Sequence, residues 1–377
     1  MEEKLRMRNR SRAVKRSVIV GSLAFLLFFG AFSSSLAIDL ENLYLSGDFR
    51  LRYRWSDIED QSRHRAALRL RINASILLHN TVQFAFGLGS GQQSGRSAMQ
   101  TFTDYFSSKP LWIDHAYITW TPVNNLSLYG GKMKNPLFNP ADYLWDADLR
   151  LEGFAADFQL YTYPVDGFFV TGMFWIEEFS TKADPVMFPF QVGGSVSITP
   201  QIILEMAATY YLFTNLDQID VTDPNYDDYS AGTNSRTGTQ FTYDYDCLGV
   251  NGELFFSNVW GPFIPTASLI GEFVYNFDPS TENLGYLGGV KFGHLDVFNF
   301  KEWNATYGFF HLERDAWLDI FPSTTILDGA TNVTGHLIVV NFGIAPQTWL
   351  RLHVDIAQEL VGSNKQNLFQ ADVNFRF

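Results

Sequence analysis

The 377-residue sequence holds a single cysteine, Cys247. It can form no disulfide within the chain, and no zinc-ligand spacing is available from it. Helical periodicity is almost absent beyond residue 37, and no long unbroken apolar run follows that point. A chain of this kind can cross a membrane only as a closed barrel. Basic residues are scarce: 27 Lys and Arg stand against 40 Asp and Glu, for a formal net charge of −13. That balance excludes the basic face that nucleic-acid binding requires. No GxSxG elbow and no HExxH motif occurs, and the seven histidines (His64, His79, His115, His294, His311, His336 and His353) include no pair at metal-ligand spacing. Neither an enzyme nor a cofactor is expected.

What is present begins with a leader. Residues 1–16 carry Lys4, Arg6, Arg8, Arg10, Arg12, Lys15 and Arg16; an apolar run follows from Val18 to Phe32, then Ser33-Ser34-Ser35-Leu36-Ala37. This is the layout of a secretory signal peptide cleaved after Ala37, and the run is short for a spanning helix. Residues 1–37 are expected to be the signal peptide and 38–377 a single domain. Removing the leader, with its seven basic and two acidic residues, moves the formal charge from −13 to −18.

The remainder reads with period two. In Asn367–Phe377, Phe369, Ala371, Val373, Phe375 and Phe377 alternate with Gln370, Asp372, Asn374 and Arg376. Such alternation marks strands with one apolar and one polar face. The pattern predicts sixteen strands over 43–55, 63–78, 81–89, 112–120, 125–133, 152–162, 167–176, 189–198, 201–213, 247–257, 265–276, 284–292, 296–311, 333–344, 348–360 and 367–377. Short connections such as His79-Asn80 alternate with long ones such as 135–150 and 214–246. An even number of strands, with short turns at one end and long loops at the other, is the layout of an outer-membrane β-barrel.

Arg50, Arg52 and Arg54 alternate with Leu51, Tyr53 and Trp55, and the next strand repeats the device with Arg63, Arg65, Arg69 and Arg71. On a lipid-facing surface each arginine would cost about 2–4 kcal/mol near the midplane. The alternation therefore predicts that the arginines point into a water-filled lumen. Either they form a solvated, partly salt-bridged wall, or they are one side of a selectivity constriction, as in pores that attract anions. A candidate opposite wall lies on the loop 135–150, with Asp142, Asp146 and Asp148 and with Glu152 just after; Lys132 and Lys134 are nearby. Inward positions elsewhere are mixed: Asp157, Glu302, Asp355 and Asp372 sit with Arg351 and Arg376, so ion preference is left open. The loop 214–246 holds seven aspartates (Asp217, Asp220, Asp223, Asp227, Asp228, Asp244 and Asp246) without EF-hand spacing, and is expected to be a solvated surface loop. Trp55, Trp112, Trp120, Tyr143, Trp145 and Trp349 fit the aromatic girdles of a membrane interface.

The segments "SGDFRLRYRW", "RHRAALRLRIN", "IDHAYITW", "LYGGKMKNPLF" and "LWDADLRLEGFA" resemble, in order, those of a bacterial putative-porin family. The likeness is strongest over residues 43–160. The final "VNFRF", ending in Phe377, is similar to the C-terminal signal by which outer-membrane barrels are recognised for assembly. The resemblance implies a diffusion porin of the Gram-negative outer membrane, often a homotrimer, embedded in outer-membrane lipid and exported through its signal peptide. The expected function is passive diffusion of small hydrophilic solutes and ions. The alternative is a substrate-specific uptake channel with a saturable site, and behind that a barrel enzyme.

Overall fold

The computed structural model describes residues 42–377 apart from 60, 93, 94, 142, 224, 225, 227 and 228. The leader, Asp142, Asp227 and Asp228 therefore lie outside the described residues.

Sixteen long strands follow one another: β1 Leu43–Ile58, β2 Gln61–His79, β3 Val82–Gly89, β4 Trp112–Val123, β5 Leu126–Lys134, β6 Arg150–Leu160, β7 Val165–Trp175, β8 Val186–Thr199, β9 Ile202–Thr214, β10 Cys247–Trp260, β11 Ile264–Asn276, β12 Leu284–Gly293, β13 Trp303–Leu312, β14 Val333–Ala345, β15 Thr348–Glu359 and β16 Lys365–Arg376. Each pairs with its neighbour in sequence, and β16 returns to pair antiparallel with β1, placing Arg52 opposite Asp372. The closing seam ends where Gly47 and Phe377 exchange backbone hydrogen bonds of 2.7 and 3.0 Å. A closed sheet leaves no unpaired edge. All sixteen expected strands are present. The thirteenth begins at Trp303 rather than 296, because residues 294–302 form a turn in which the Glu302 carboxylate accepts the Phe298 and Asn299 amides at 2.8 Å. Glu302 is therefore a turn residue and not part of the lumen wall.

Alternation sets the two faces. Leu51 and Tyr53 are exposed on the outward surface, at 41 and 45 %, while the side chains of Arg50, Arg52 and Arg54 retain 12–15 % exposure on the inward one. A slip of one residue would exchange the two sets.

The interior is divided. Three connections (135–149, 215–246 and 313–332) fold into the barrel and build an apolar core against one side of the wall. Tyr143 and Trp145 are buried there at 1 and 4 % exposure, with Trp317 at 1 %. They belong to the interior and not to a girdle. Trp317 stacks edge-on to Trp145 at 5.5 Å and to Tyr211 of β9 at 4.8 Å, and donates its indole N–H to the Leu144 carbonyl at 3.0 Å. Polar side chains from the wall hold the 135–149 loop in place. Glu272 of β11 accepts the Ala141 and Leu144 amides at 3.0 and 3.4 Å, and Lys291 of β12 donates to the Pro140 carbonyl at 2.6 Å. The 215–246 connection is clasped in turn by the buried Asp319, which accepts from the Ser230 hydroxyl and Thr233 amide at 2.6 Å and the Asn234 amide at 3.2 Å. Leu216, Ile219, Val221 and Tyr245 are buried in the same core. These side chains anchor the segment, while its aspartates Asp217, Asp220, Asp223 and Asp244 are exposed to solvent, as expected. Among the described residues, no group of three or more His, Cys, Asp or Glu could hold a metal ion.

Trp317 bridges two inward-folded connections and the wall, so its loss should loosen the loops before the strands. Trp317→Ala is expected to cost the loop core about 3–5 kcal/mol. In hydrogen exchange, amides of 137–149 and 316–330 should lose protection while those of β14–β16 keep theirs. Uniform loss across both sets would contradict a separable loop core.

Candidate functional site

The space left by the loop core is a cavity of about 1110 Å³ against β1, β2, β15 and β16. Arg50, Arg52, Arg54, Arg65 and Arg69 line one side of it. Thr266, Ser268, Lys291, Asn304 and Thr306 line another, and the 135–149 and 313–332 connections contribute Asp146, Asp148, Thr324 and Asp328. Eight Lys or Arg and four Asp or Glu face this space.

The arginines differ in how far they are neutralised. Arg52 makes a two-point contact with Asp372 of β16, Nε and Nη2 each at 2.8 Å from a carboxylate oxygen. Arg50 donates to Asn374 Oδ1 at 2.6 Å and lies 3.5 Å from the same Asp372. Arg69 pairs with Asp48 one strand away at 2.6 Å. Arg71 pairs with Asp148 at 2.8 Å and approaches Asp114 at 3.5 Å. Higher on the wall the compensation stops. Arg54 reaches Asp328 only at 3.8 Å, and its Nε and Nη2 are buried without a hydrogen-bond partner. Arg65, lining the cavity beside Arg54, has a buried Nε without one. Arg63 shares their parity but is exposed at the end of β2.

Asp114 enters the lumen through a bulge. In the β3–β4 register Gly87 faces His115 and Leu88 faces Ile113, so Asp114 is the extra residue. A bulge of this kind bends the strand and re-aims its side chains. Asp114 then contacts His115 at 3.0 Å and Arg150 at 3.1 Å. Gly87 makes the room: a Cβ there would meet the His115 ring at 2.3 Å. Nothing in the strand's sequence pattern marks this bulge.

The acidic residues of the loop do not form one face. Asp148 touches the arginine wall directly, while Asp146 turns to the 313–332 connection and accepts the Thr324 amide at 2.8 Å and its hydroxyl at 2.9 Å. Glu152 and Lys132 are not in the lumen at all. They pair with one another on the outward face, where Glu152 shares the parity of Phe154 and Phe158 (60 and 44 % exposed), opposite the buried Leu151 and Ala155. Strand alternation decides their side and overrides their nearness to the loop in sequence. Lys134 ends β5 in register with Arg150.

Burial raises the cost of a charge on both loop aspartates, with opposite outcomes. For Asp148 the nearby Arg71 and Arg69 outweigh burial, and its carboxyl is held below the usual carboxylate range. For Asp146, burial and then the neighbouring Asp148 charge push it up to about 6. The closed loop therefore keeps a proton on Asp146 that a released loop gives up near pH 4. The stabilisation from that raised value is full below about pH 4 and is lost as pH rises through about 6. Hydrogen exchange of 143–149 should show the loop tighter at pH 5 than at pH 7.5. Asp146→Asn should flatten the difference, and an unchanged profile in that variant would contradict the assignment.

The family model described as Putative porin matches residues 53–243 and 269–377. No curated protein matches the chain. Among solved structures, OprB of Pseudomonas putida in its high-pH form aligns with a TM-score of 0.60 at 11 % identity, covering 89 % of this chain and 94 % of that one. Its low-pH form gives 0.51 at 11 %, with 89 and 93 % coverage. A triple mutant of the Rhodopseudomonas blastica porin gives 0.46 at 10 %, with 89 and 100 % coverage. At 11 % identity the likeness to OprB speaks for the fold, a closed sixteen-stranded barrel. The family match spans well over half of the chain, which belongs to the putative-porin family of outer-membrane channels.

Proposed function

We propose that this porin is a passive diffusion channel for small hydrophilic solutes and ions, with a preference for anions. The observation that carries this reading is the imbalance within the cavity. Arg50, Arg52, Arg69 and Arg71 are answered by Asp372, Asp48 and Asp148, whereas among the described residues Arg54 has no ion pair closer than 3.8 Å and Arg65 has none. The neutralised part of the row holds the wall together, and the surplus upper part sets the potential a solute meets. Rows of guanidinium groups favour anions in a narrow aqueous path, and the low-dielectric wall strengthens their field. Sieving follows from the inward-folded loops, which occupy part of the lumen. The acidic loop residues Asp146 and Asp148 act in this reading as anchors for that loop, and Asp148 contributes part of the constriction.

The same loops favour a second reading, uptake of a particular solute class at a saturable site. Its support is that the loops are held in fixed positions by Glu272 and Asp319, which gives a solute a defined surface to meet. Either way the chain acts as a channel and carries out no catalysis. Export through the leader, a homotrimeric assembly and recognition of Phe377 by the barrel assembly machinery complete the proposal.

Single-channel recording in a planar bilayer tests it. With a potassium chloride gradient, the reversal potential should have the sign of chloride selectivity. The double variant Arg54→Ala/Arg65→Ala should move it toward zero, and closure in three equal steps should report three protomers. Cation selectivity in the unaltered protein, or a reversal potential that ignores both substitutions, would overturn the anion preference.

A further inference from the structure

We propose that Arg54, Arg65 and Gln370 form a binding subsite for a small hydroxylated carboxylate inside the conduit; this rests on the pore reading above. Arg54 and Gln370 are direct partners across the β1–β16 seam, and Arg65 lies beside Arg54 on β2. All three line the cavity. Gln370 is fully buried, and neither its amide nitrogen nor its amide oxygen has a hydrogen-bond partner. With Arg54 Nε and Nη2 and Arg65 Nε, that makes five buried polar atoms without partners at one level of the wall.

Buried polar groups in folded proteins nearly always have partners, and a cluster of orphans calls for an explanation. Single unpartnered buried atoms occur elsewhere, at Arg71 Nε and Asn374 Nδ2 among others, but among the described residues only Arg54 and Gln370 carry two each, and these two face one another across the seam. The arginines one step along the same strand are fully engaged, Arg52 by Asp372 and Arg50 by Asn374. The wall thus has the means to satisfy a guanidinium and does not use them at this level.

Charge and donor geometry select the occupant. Arg54, Arg65 and the neighbouring Arg63 bring three positive charges, and Asp328, 3.8 Å from Arg54, and Asp355 return two negative. One carboxylate balances the remainder, while a phosphate dianion would overfill it. Guanidinium groups bind carboxylates through paired N–H donors. The Gln370 amide oxygen and the exposed Asp328 carboxylate accept hydrogen bonds, which suits hydroxyl groups on the same solute. A neutral sugar of equal size would leave both guanidiniums unanswered.

The test uses the full barrel in a planar bilayer with sodium gluconate, glucose or inorganic phosphate added to potassium chloride. Gluconate should interrupt the current in a saturable way. Glucose at the same concentration should not, and phosphate at pH 8 should do so several-fold more weakly. Losing one charged donor to a carboxylate should raise the half-blocking concentration of gluconate about tenfold in Arg54→Gln and in Arg65→Gln, with Arg65→Lys recovering part of the loss. Gluconate no better than glucose, phosphate as good as gluconate, or variants that match the unaltered channel would overturn the subsite. The comparison of three solutes on the unaltered protein decides the matter even where a variant fails to assemble. Titration calorimetry of gluconate into the detergent-solubilised barrel separates the two levels: binding heat without any channel current would retain the subsite and refute the pore, whereas current without saturable binding would do the reverse.

Discussion

Seven guanidinium groups on two neighbouring strands are a constraint that the rest of the barrel must satisfy. They cannot face lipid, at about 2–4 kcal/mol each, and they cannot stand together in a low-dielectric lumen without counter-charges. The structure meets the first demand along the row and the second for Arg50, Arg52, Arg69 and Arg71. Alternation turns the row inward, and three separate sources supply carboxylates: Asp372 from the strand that closes the barrel, Asp48 from the start of β1, and Asp148 from the 135–149 loop. Closure of the barrel, register of the first hairpin and position of the loop are therefore coupled through the same side chains. Removing one partner of a buried pair costs far more than the pair itself contributes, so each of these contacts fixes geometry more than it adds stability.

The same row explains why the interior is lopsided. A wall of arginines cannot pack against tryptophan and leucine without losing its water, so the inward-folded loops build their apolar core on the other side, around Trp317, Trp145 and Tyr143. What remains beside the arginines is a polar cavity. The loops are pinned at several points by single carboxylates, the buried Glu272 and Asp319 and the half-buried Asp146, each accepting backbone amides. Loop position is thus set by a few directional contacts within the strand frame.

Much of this was legible in the chain. Alternation is read without ambiguity where polar and apolar residues are pure, as in β16, and it places Asp372, Gln370 and Asn374 inward correctly. Once the barrel is assumed to close, β1 must lie beside β16, so the partners of the first arginines could have been inferred from the two ends of the sequence. Applied to β6, the same alternation would have put Glu152 outside with Phe154; nearness to an acidic loop was the weaker cue. Other features leave no local trace. The bulge that exposes Asp114 to the lumen is a property of the β3–β4 pairing. An aromatic residue in a loop looks alike whether the loop folds out to a membrane interface, as was expected of Tyr143 and Trp145, or into the barrel, because the difference is set by distant partners such as Trp317.

The central claim is that the arginine row is wet while its alternate neighbours are not. Cys247 is buried, so thiols introduced at Arg54→Cys and Tyr53→Cys would be read against a quiet background. A charged, water-soluble thiol reagent applied to the open channel should modify the cysteine at position 54 and change the current, and should leave the one at position 53 untouched. Modification at 53 with position 54 protected would place the guanidiniums outside and contradict the account.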